Sequence, residues 1–243
     1  MQTAIIIPAR HGSSRLPAKA LASIEGHPLV WYVWQQALKA KTGDVFIATD
    51  HEDIATVARR FGAKVIMTST DCPTGSDRVA EAIQQLPKTY DTFINVQGDL
   101  PFINPDEIRK VLAPLEQGYD VGTLVTCMEE SQQKKPDCVK AIVSTQEDSS
   151  IHRCHWFCRA ALSYGHYHLG VYAYRYETLQ HFARIHPHPL ERLESLEQIR
   201  FLTLGYSIGA SLISSLALEV NTKEDLNQVR QYASSKLTSK AEA

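Results

Sequence analysis

The sequence predicts an α/β protein whose mostly parallel sheet is covered by helices on both faces. Three observations lead there. Short apolar runs alternate with amphipathic stretches of helical period throughout the first half. Strict strand–helix alternation implies right-handed crossovers and parallel pairing. The chain of 243 residues is long enough to bury the core that such a sheet needs.

The elements follow in order. Ala4–Ile7 is a buried strand ending at Pro8, and a helix begins near Pro28, with Leu29, Val30, Val33, Trp34, Ala37 and Leu38 at helical spacing. Val45–Ala48 is the second strand; Ile54, Ala55, Ala58 and Phe61 stripe the next helix. Lys64–Met67 is a strand, Ser76–Leu86 a helix, Phe93–Val96 a strand and Pro105–Leu115 a helix. The second half is more mixed. Strands are expected at Val121–Thr126, Val139–Val143 and Leu169–Tyr174, and helices at Glu177–Ile185, Leu190–Leu204 and Lys223–Ser235. The polar tail Leu237–Ala243 is expected to fray. With no repeat, low-complexity stretch or Pro/Gly-rich linker, one domain spanning 1–243 is the simplest account.

Composition narrows the function. Lys and Arg number 25 against 27 Asp and Glu, so no global basic field points to nucleic acid. Met1-Gln-Thr runs straight into the first strand without a charged leader, and no apolar run approaches the roughly 20 residues of a membrane span, so a cytoplasmic protein without a membrane partner is expected. Five cysteines without a C-x-x-C read as reduced, mostly buried thiols; Cys154 and Cys158 would share a helix face but cannot form a zinc site alone.

Two loops carry chemistry. The first strand runs into Pro8-Ala9-Arg10-His11-Gly12-Ser13-Ser14-Arg15-Leu16-Pro17-Ala18-Lys19. In an open α/β sheet ligands bind beyond the carboxyl ends of the strands. Small residues let backbone N–H groups approach phosphate oxygens, and Arg10, Arg15 and Lys19 supply charge-assisted bonds. The loop is neither a P-loop nor G-x-G-x-x-G, so spacing alone leaves phosphate binding and a solvated basic loop at even odds. The fourth strand ends in Asn95-Val96-Gln97-Gly98-Asp99-Leu100-Pro101. Asp99 there is either an anchor for Mg²⁺, which takes one or two carboxylates plus phosphate oxygens, or a turn-initiating residue.

These stretches resemble the CMP-Kdo synthetases (3-deoxy-manno-octulosonate cytidylyltransferases). The resemblance continues through Ala48-Thr49-Asp50, Thr74-Gly75-Ser76-Asp77-Arg78, Trp156-Phe157-Cys158-Arg159, His168-Leu169-Gly170, Leu196-Glu197-Gln198 and Val220-Asn221-Thr222-Lys223-Glu224-Asp225, covering nearly the whole chain. It implies a three-layer nucleotide-diphospho-sugar transferase-like fold, with a nucleotide-binding half at about 1–126 and a sugar-binding, dimer-forming part at about 127–220. It further implies transfer of CMP from CTP to Kdo for lipopolysaccharide synthesis, with Mg²⁺, in a homodimer. Pro8, Ala9, Arg10, Lys19, Arg78 and Gln97 would bind the nucleotide, and Arg15, Lys19 and Asp99 would serve catalysis. Arg159, His168, Glu197 and Gln198 would bind the sugar acid, and Asp99 with residue 221 would hold the metal.

Four departures from the family's pattern bear on that expectation. Its closing motif carries Asp where this chain has Asn221, an amide that has lost the full charge a hard cation prefers; Glu219 or Asp225 could compensate, though neither lies at the matching position. Ala18 stands for a Gly, which costs energy if the backbone there is left-handed. Leu100 replaces a Glu beside the metal, and the segment between Arg159 and His168 is shortened to eight residues. A weakened paralogue, or an enzyme for a related acidic sugar, are the alternatives. For Glu197 and Gln198, spacing alone favours an exposed helix face. Cys154-His155, His166-Tyr167-His168 and His181…His188 match no zinc spacing and read as loop or surface histidines.

Overall fold

A computed structural model describes residues 2–12, 15–145, 150–214 and 218–241. Ser13 and Ser14 of the first loop lie outside these residues, as do 242 and 243 of the tail.

The sheet grows from β1 (Thr3–Ala9), whose side chains alternate between two cores. Ile5, Ile7 and Ala9 join one apolar cluster, and Ala4 and Ile6 the other. Burial on both faces is why the run is continuously apolar rather than alternating. Beside β1 lie β4 (Asp44–Thr49), β5 (Lys64–Met67) and β6 (Thr92–Val96), all parallel. Two short strands, β2 (Ser23–Ile24) and β3 (His27–Pro28), pair separately.

The remaining strands are β7 (Val121–Cys127), β8 (Lys140–Thr145), β9 (Ile151–Cys158), β10 (His166–Arg175) and β11 (Ile208–Ile213). The order is β5-β4-β1-β6-β10-β7-β11-β9-β8, with β10 also touching β8. The sheet is therefore mixed. Parallel pairing is confined to β5-β4-β1-β6 and to β7–β11, while every pair made by β10 or β9 is antiparallel. The expected mostly parallel sheet describes the first half alone.

Helices α1 (Leu29–Ala40), α2 (Glu52–Arg60), α4 (Pro105–Lys110), α5 (Ala113–Glu116) and α10 (Lys223–Ala241) contribute to the first cluster. Helices α3 (Gly75–Ile83), α7 (Tyr176–Arg184) and α9 (Gln198–Thr203) contribute to the second. Short α6 (Glu130–Gln133) and α8 (Pro189–Glu194) complete the set.

Several expectations are corrected. Leu38 is exposed and leaves the α1 stripe. The single helix over Pro105–Leu115 breaks into α4 and α5, because Pro114 has no N–H to bond the Lys110 carbonyl, which accepts from Ser211 Oγ at 2.7 Å instead. The helix over Leu190–Leu204 breaks at Ser195, whose φ of 55° is left-handed, with Leu196 N–H closing on the Glu191 carbonyl at 3.1 Å. Strands β9 and β11 were not expected, and Cys154 and Cys158 lie on β9 rather than on a helix. All five thiols are free; two are buried, two half-buried and Cys127 exposed. Helix α10 continues past Ser235 to Ala241.

Candidate active site

A cavity of about 750 Å³ opens at the carboxyl ends of β1 and β6. Every residue singled out above as nucleotide-, sugar- or metal-binding lines it: Pro8, Ala9, Arg10, Arg15, Lys19, Arg78, Gln97, Asp99, Arg159, His168, Glu197, Gln198 and Asn221.

The first loop leaves β1 and reaches a short 3-10 turn, Lys19–Leu21. Its preceding residue Ala18 has φ 50° and ψ 35°, the left-handed geometry that glycine tolerates and alanine pays strain to adopt. That turn directs the Lys19 ammonium to Asp99 Oδ2 and to the Val220 carbonyl, both at 2.9 Å. Arg15 pairs with Asp137 and donates to Asn221 Oδ1 at 3.1 Å.

Gly98 lets β6 pass close to β1, since a Cβ there would sit 2.8 Å from the Pro8 carbonyl. Asp99 follows directly. Its Oδ1 is buried and has no hydrogen-bond partner among the described residues. A buried carboxylate oxygen without a donor is costly unless a cation meets it, so the residues present fit a hard divalent ion. Leu100 points away and is buried in the first core cluster. The loss of a carboxylate at that position therefore removes none from the cavity in this conformation.

Arg78 is buried on α3 and pairs with Asp50 at 2.9 Å, while its other nitrogen donates to Thr68 Oγ1 at 2.6 Å. Asp50 in turn accepts from His11 N–H at 2.9 Å, joining the first loop to α3. Gln97 Nε2 faces the Glu197 carboxylate at 3.4 Å.

The other end of the cavity is built from β10, α8 and α9. His168 is buried on β10, its Nε2 3.0 Å from Thr123 Oγ1. Burial, helped by the Arg159 charge, lowers its pKa to about 3, so it presents a neutral ring at neutral pH. Arg159 is fixed by carbonyls, its Nε donating to Glu194 at 3.2 Å and its Nη1 to Pro136 at 3.0 Å.

Glu197 and Gln198 do not lie on an exposed face. The break at Ser195 turns them inward. Glu197 accepts from Ser76 N–H at 3.0 Å and Ser76 Oγ at 2.9 Å, at the start of α3. Burial raises its pKa, while the bonds from Ser76 oppose the rise. Gln198 is 1% exposed, and its Nε2 has no partner among the described residues, leaving two N–H bonds for a hydroxyl or carboxylate in the cavity.

Sequence reading offered Glu219 only as a substitute for the charge lost at 221, and gave Arg200 no role. Glu219 lines the same cavity, accepting from Tyr167 OH at 2.8 Å; burial and then the Asp99 charge raise its pKa above the usual carboxylate value. Its position beside Val220 in the closing motif was the available signal. Arg200 is 1% exposed and clamps α3, α8 and α9 through Asp77 (2.9 and 3.1 Å) and Glu191 (2.6 and 2.8 Å). Burial works against its charge, and these bonds outweigh burial to raise its pKa.

Among the described residues the histidines of the second half form no group of three ligands, although the His152 and His166 rings lie 5.7 Å apart. Among the described residues, the three-residue group with ligand atoms within 4.8 Å of one another is His11, His51 and Asp53. There the two imidazoles stack at 3.9 Å, and His51 Nδ1 is already taken as the N-cap acceptor for Asp53 N–H at 3.2 Å.

Basic side chains from the first loop, facing a strand-end carboxylate across a polar cavity on an α/β sheet, define a nucleotidyltransferase. The chain belongs to the cytidylyltransferase family, whose model matches residues 4–208. It is similar to the 3-deoxy-manno-octulosonate cytidylyltransferase of Bartonella henselae, 41% identical over 239 residues, which are 95% of this chain and 98% of that protein. It is also similar to that of Brucella anthropi, 42% identical over 238 residues, 95% and 96% of the two chains. A solved CMP:2-keto-3-deoxy-manno-octonic acid synthetase complexed with CTP superposes with a TM-score of 0.87 at 32% identity, covering 97% of this chain and 100% of that one. The 4-diphosphocytidyl-2C-methyl-D-erythritol synthase of Anaerococcus prevotii, at 11% identity and a TM-score of 0.63 over 95% and 97% of the two chains, shares the fold alone.

Proposed function

We propose that this cytidylyltransferase transfers CMP from CTP to the anomeric hydroxyl of 3-deoxy-manno-octulosonate, releasing pyrophosphate, as a step of lipopolysaccharide synthesis. One observation carries the reading. Arg10, Arg15, Lys19 and Asp99 line the same cavity as Arg159, His168 and Gln198, so a triphosphate and a polyhydroxy acid can meet there.

The hydroxyl oxygen forms the new bond to the α-phosphorus as the bond to the pyrophosphate oxygen breaks. Such chemistry rests on positioning and charge neutralisation rather than on a covalent nucleophile. Arg10, Arg15 and Lys19 hold the phosphates. Lys19 and Arg15 now rest on Asp99, Asp137 and Asn221, and phosphate oxygens compete for the same donors. Pro8 and Ala9 form the strand-end wall, and Arg78 and Gln97 face the cytosine and ribose. Asp99, beside Asn221, would hold Mg²⁺, which would neutralise negative charge on the phosphate oxygens. Arg159 meets the sugar carboxylate, while His168, Glu197 and Gln198 bond its hydroxyls.

Residues 1–126 serve as the nucleotide-binding half and 127–220 as the sugar-binding and dimer-forming part of one three-layer domain. A cytoplasmic homodimer remains part of this proposal, supported by the resemblance. Among the described residues no helix is long and apolar enough to cross a membrane.

The test is pyrophosphate release from CTP, Mg²⁺ and 3-deoxy-manno-octulosonate. Release well above that with ATP, GTP or UTP is expected, and background release from this pair would sink the assignment. A second reading keeps the chemistry and changes the acid. The connection from β9 to β10 is only residues 159–165, which removes wall beside the sugar end. A higher kcat/KM for an amino-substituted or nine-carbon acid would favour it.

A further inference from the structure

Resting on the metal reading just given, we propose that Glu219, rather than Asn221, supplies the second protein ligand for the divalent cation. The geometry begins with Val220. Its N–H donates to the Asp99 carbonyl at 2.9 Å, its own carbonyl accepts from Lys19 Nζ at 2.9 Å, and its side chain is buried in the first core cluster. Residues 219 and 221 therefore flank a point pinned to Asp99, and both line the cavity.

The Asn221 amide oxygen is already engaged. Its Oδ1 accepts from Arg15 at 3.1 Å, so turning it toward a cation would break that bond.

Glu219 is held by Tyr167 OH, at 2.8 Å from Oε2. A carboxylate has about four acceptor positions, so this donor leaves room for a cation. Asp99 is in the same condition, with Oδ2 on Lys19 and a buried Oδ1 without a partner among the described residues. Mg²⁺ is usually held by one or two carboxylates. Asp99 with Asn221 offers one; Asp99 with Glu219 offers two. The charge that the family's closing motif places at position 221 is here carried two residues earlier.

The experiment is an Mn²⁺ titration of the full chain without nucleotide, read from the EPR signal of the free ion. Glu219→Gln is expected to weaken binding about 10-fold or more, a loss typical of metal-site substitutions. Glu219→Gln combined with Asn221→Asp is expected to recover most of it. Tyr167→Phe keeps the carboxylate and is expected to stay within a few-fold of the parent. Asp99→Asn separates the two readings. If it weakens binding while Glu219→Gln does not, Glu219 is no ligand and the metal reading stands. If neither changes binding, the cation does not sit at Asp99 and both readings fall. A loss with Tyr167→Phe as large as that with Glu219→Gln, or no recovery in the double variant, would overturn the role of Glu219. Should Glu219→Gln not fold, Glu219→Asp, with the carboxylate drawn back by one methylene, is expected to weaken Mn²⁺ binding; parent affinity in that variant would overturn the role.

Discussion

Two charged clusters flank the cavity and are built in opposite ways. At the sugar end Arg200 is sealed, 1% exposed, with its donors on Asp77 and Glu191 and its plane 3.9 Å from the Phe182 ring. At the nucleotide end the Lys19 and Asp99 side chains are 20% and 17% exposed, and those of Arg15 and Asp137 48% and 60%. A saturated buried cluster cannot accept a ligand without unfolding around it, so it holds shape. A half-open one, with an unpartnered Asp99 oxygen, holds its charges ready for exchange. Same residue types, different solvent access, different work.

The sharpest way to break this contrast is Arg200→Met. It leaves two buried carboxylates without their cation, a loss of about 3–5 kcal/mol. Thermal melting should fall by roughly 10 °C for a chain of this size; an unchanged melting temperature would show that the cluster carries no stability. Lys19→Met should do the reverse. Melting should hardly move, while kcat/KM for pyrophosphate release should fall about 100- to 1,000-fold, the usual cost of losing a preorganised charge donor.

His168 sharpens the comparison through pH. Its folded pKa is depressed to about 3 by burial, so below the unfolded value near 6.5 the unfolded chain takes up a proton that the fold refuses. Stability from this group is complete above pH 6.5 and is lost as pH falls, at up to about 1.4 kcal/mol per unit. Urea midpoints at pH 7 and pH 5 should converge in His168→Gln; an equal slope in both proteins would refute this. The smallest effect belongs to Ala18→Gly, which should relieve the left-handed strain and stabilise by about 0.5–1 kcal/mol. A loss of stability there would mean that chain entropy outweighs the strain.

The sequence was most readable where residues are buried on both faces of the sheet. Continuously apolar β1 and β6 sit between clear helical stripes, and the loops at their ends carried Arg10, Arg15, Lys19 and Asp99 into one cavity. Reading failed where pattern and packing part company. Strand β9, Ile-His-Arg-Cys-His-Trp-Phe-Cys, mixes polar and apolar residues without the flanking helices that marked the earlier strands. Ser195 gives no local warning of a left-handed turn, yet that turn moves Glu197 and Gln198 from an expected surface to the cavity. Sequence offered Glu219 and Asp225 alike as substitutes for the charge lost at 221, and only the fold, which brings together residues so far apart in sequence, puts Glu219 in the cavity with Asp99.

That separation has a consequence for how the protein comes into being. The hydrogen bond from Val220 to the Asp99 carbonyl closes the cavity floor with a segment more than a hundred residues downstream, and Leu226, Val229 and Ala233 of α10 pack into the same core behind it. A nascent polypeptide that has not yet reached Val220 would have the phosphate-gripping loop without its floor.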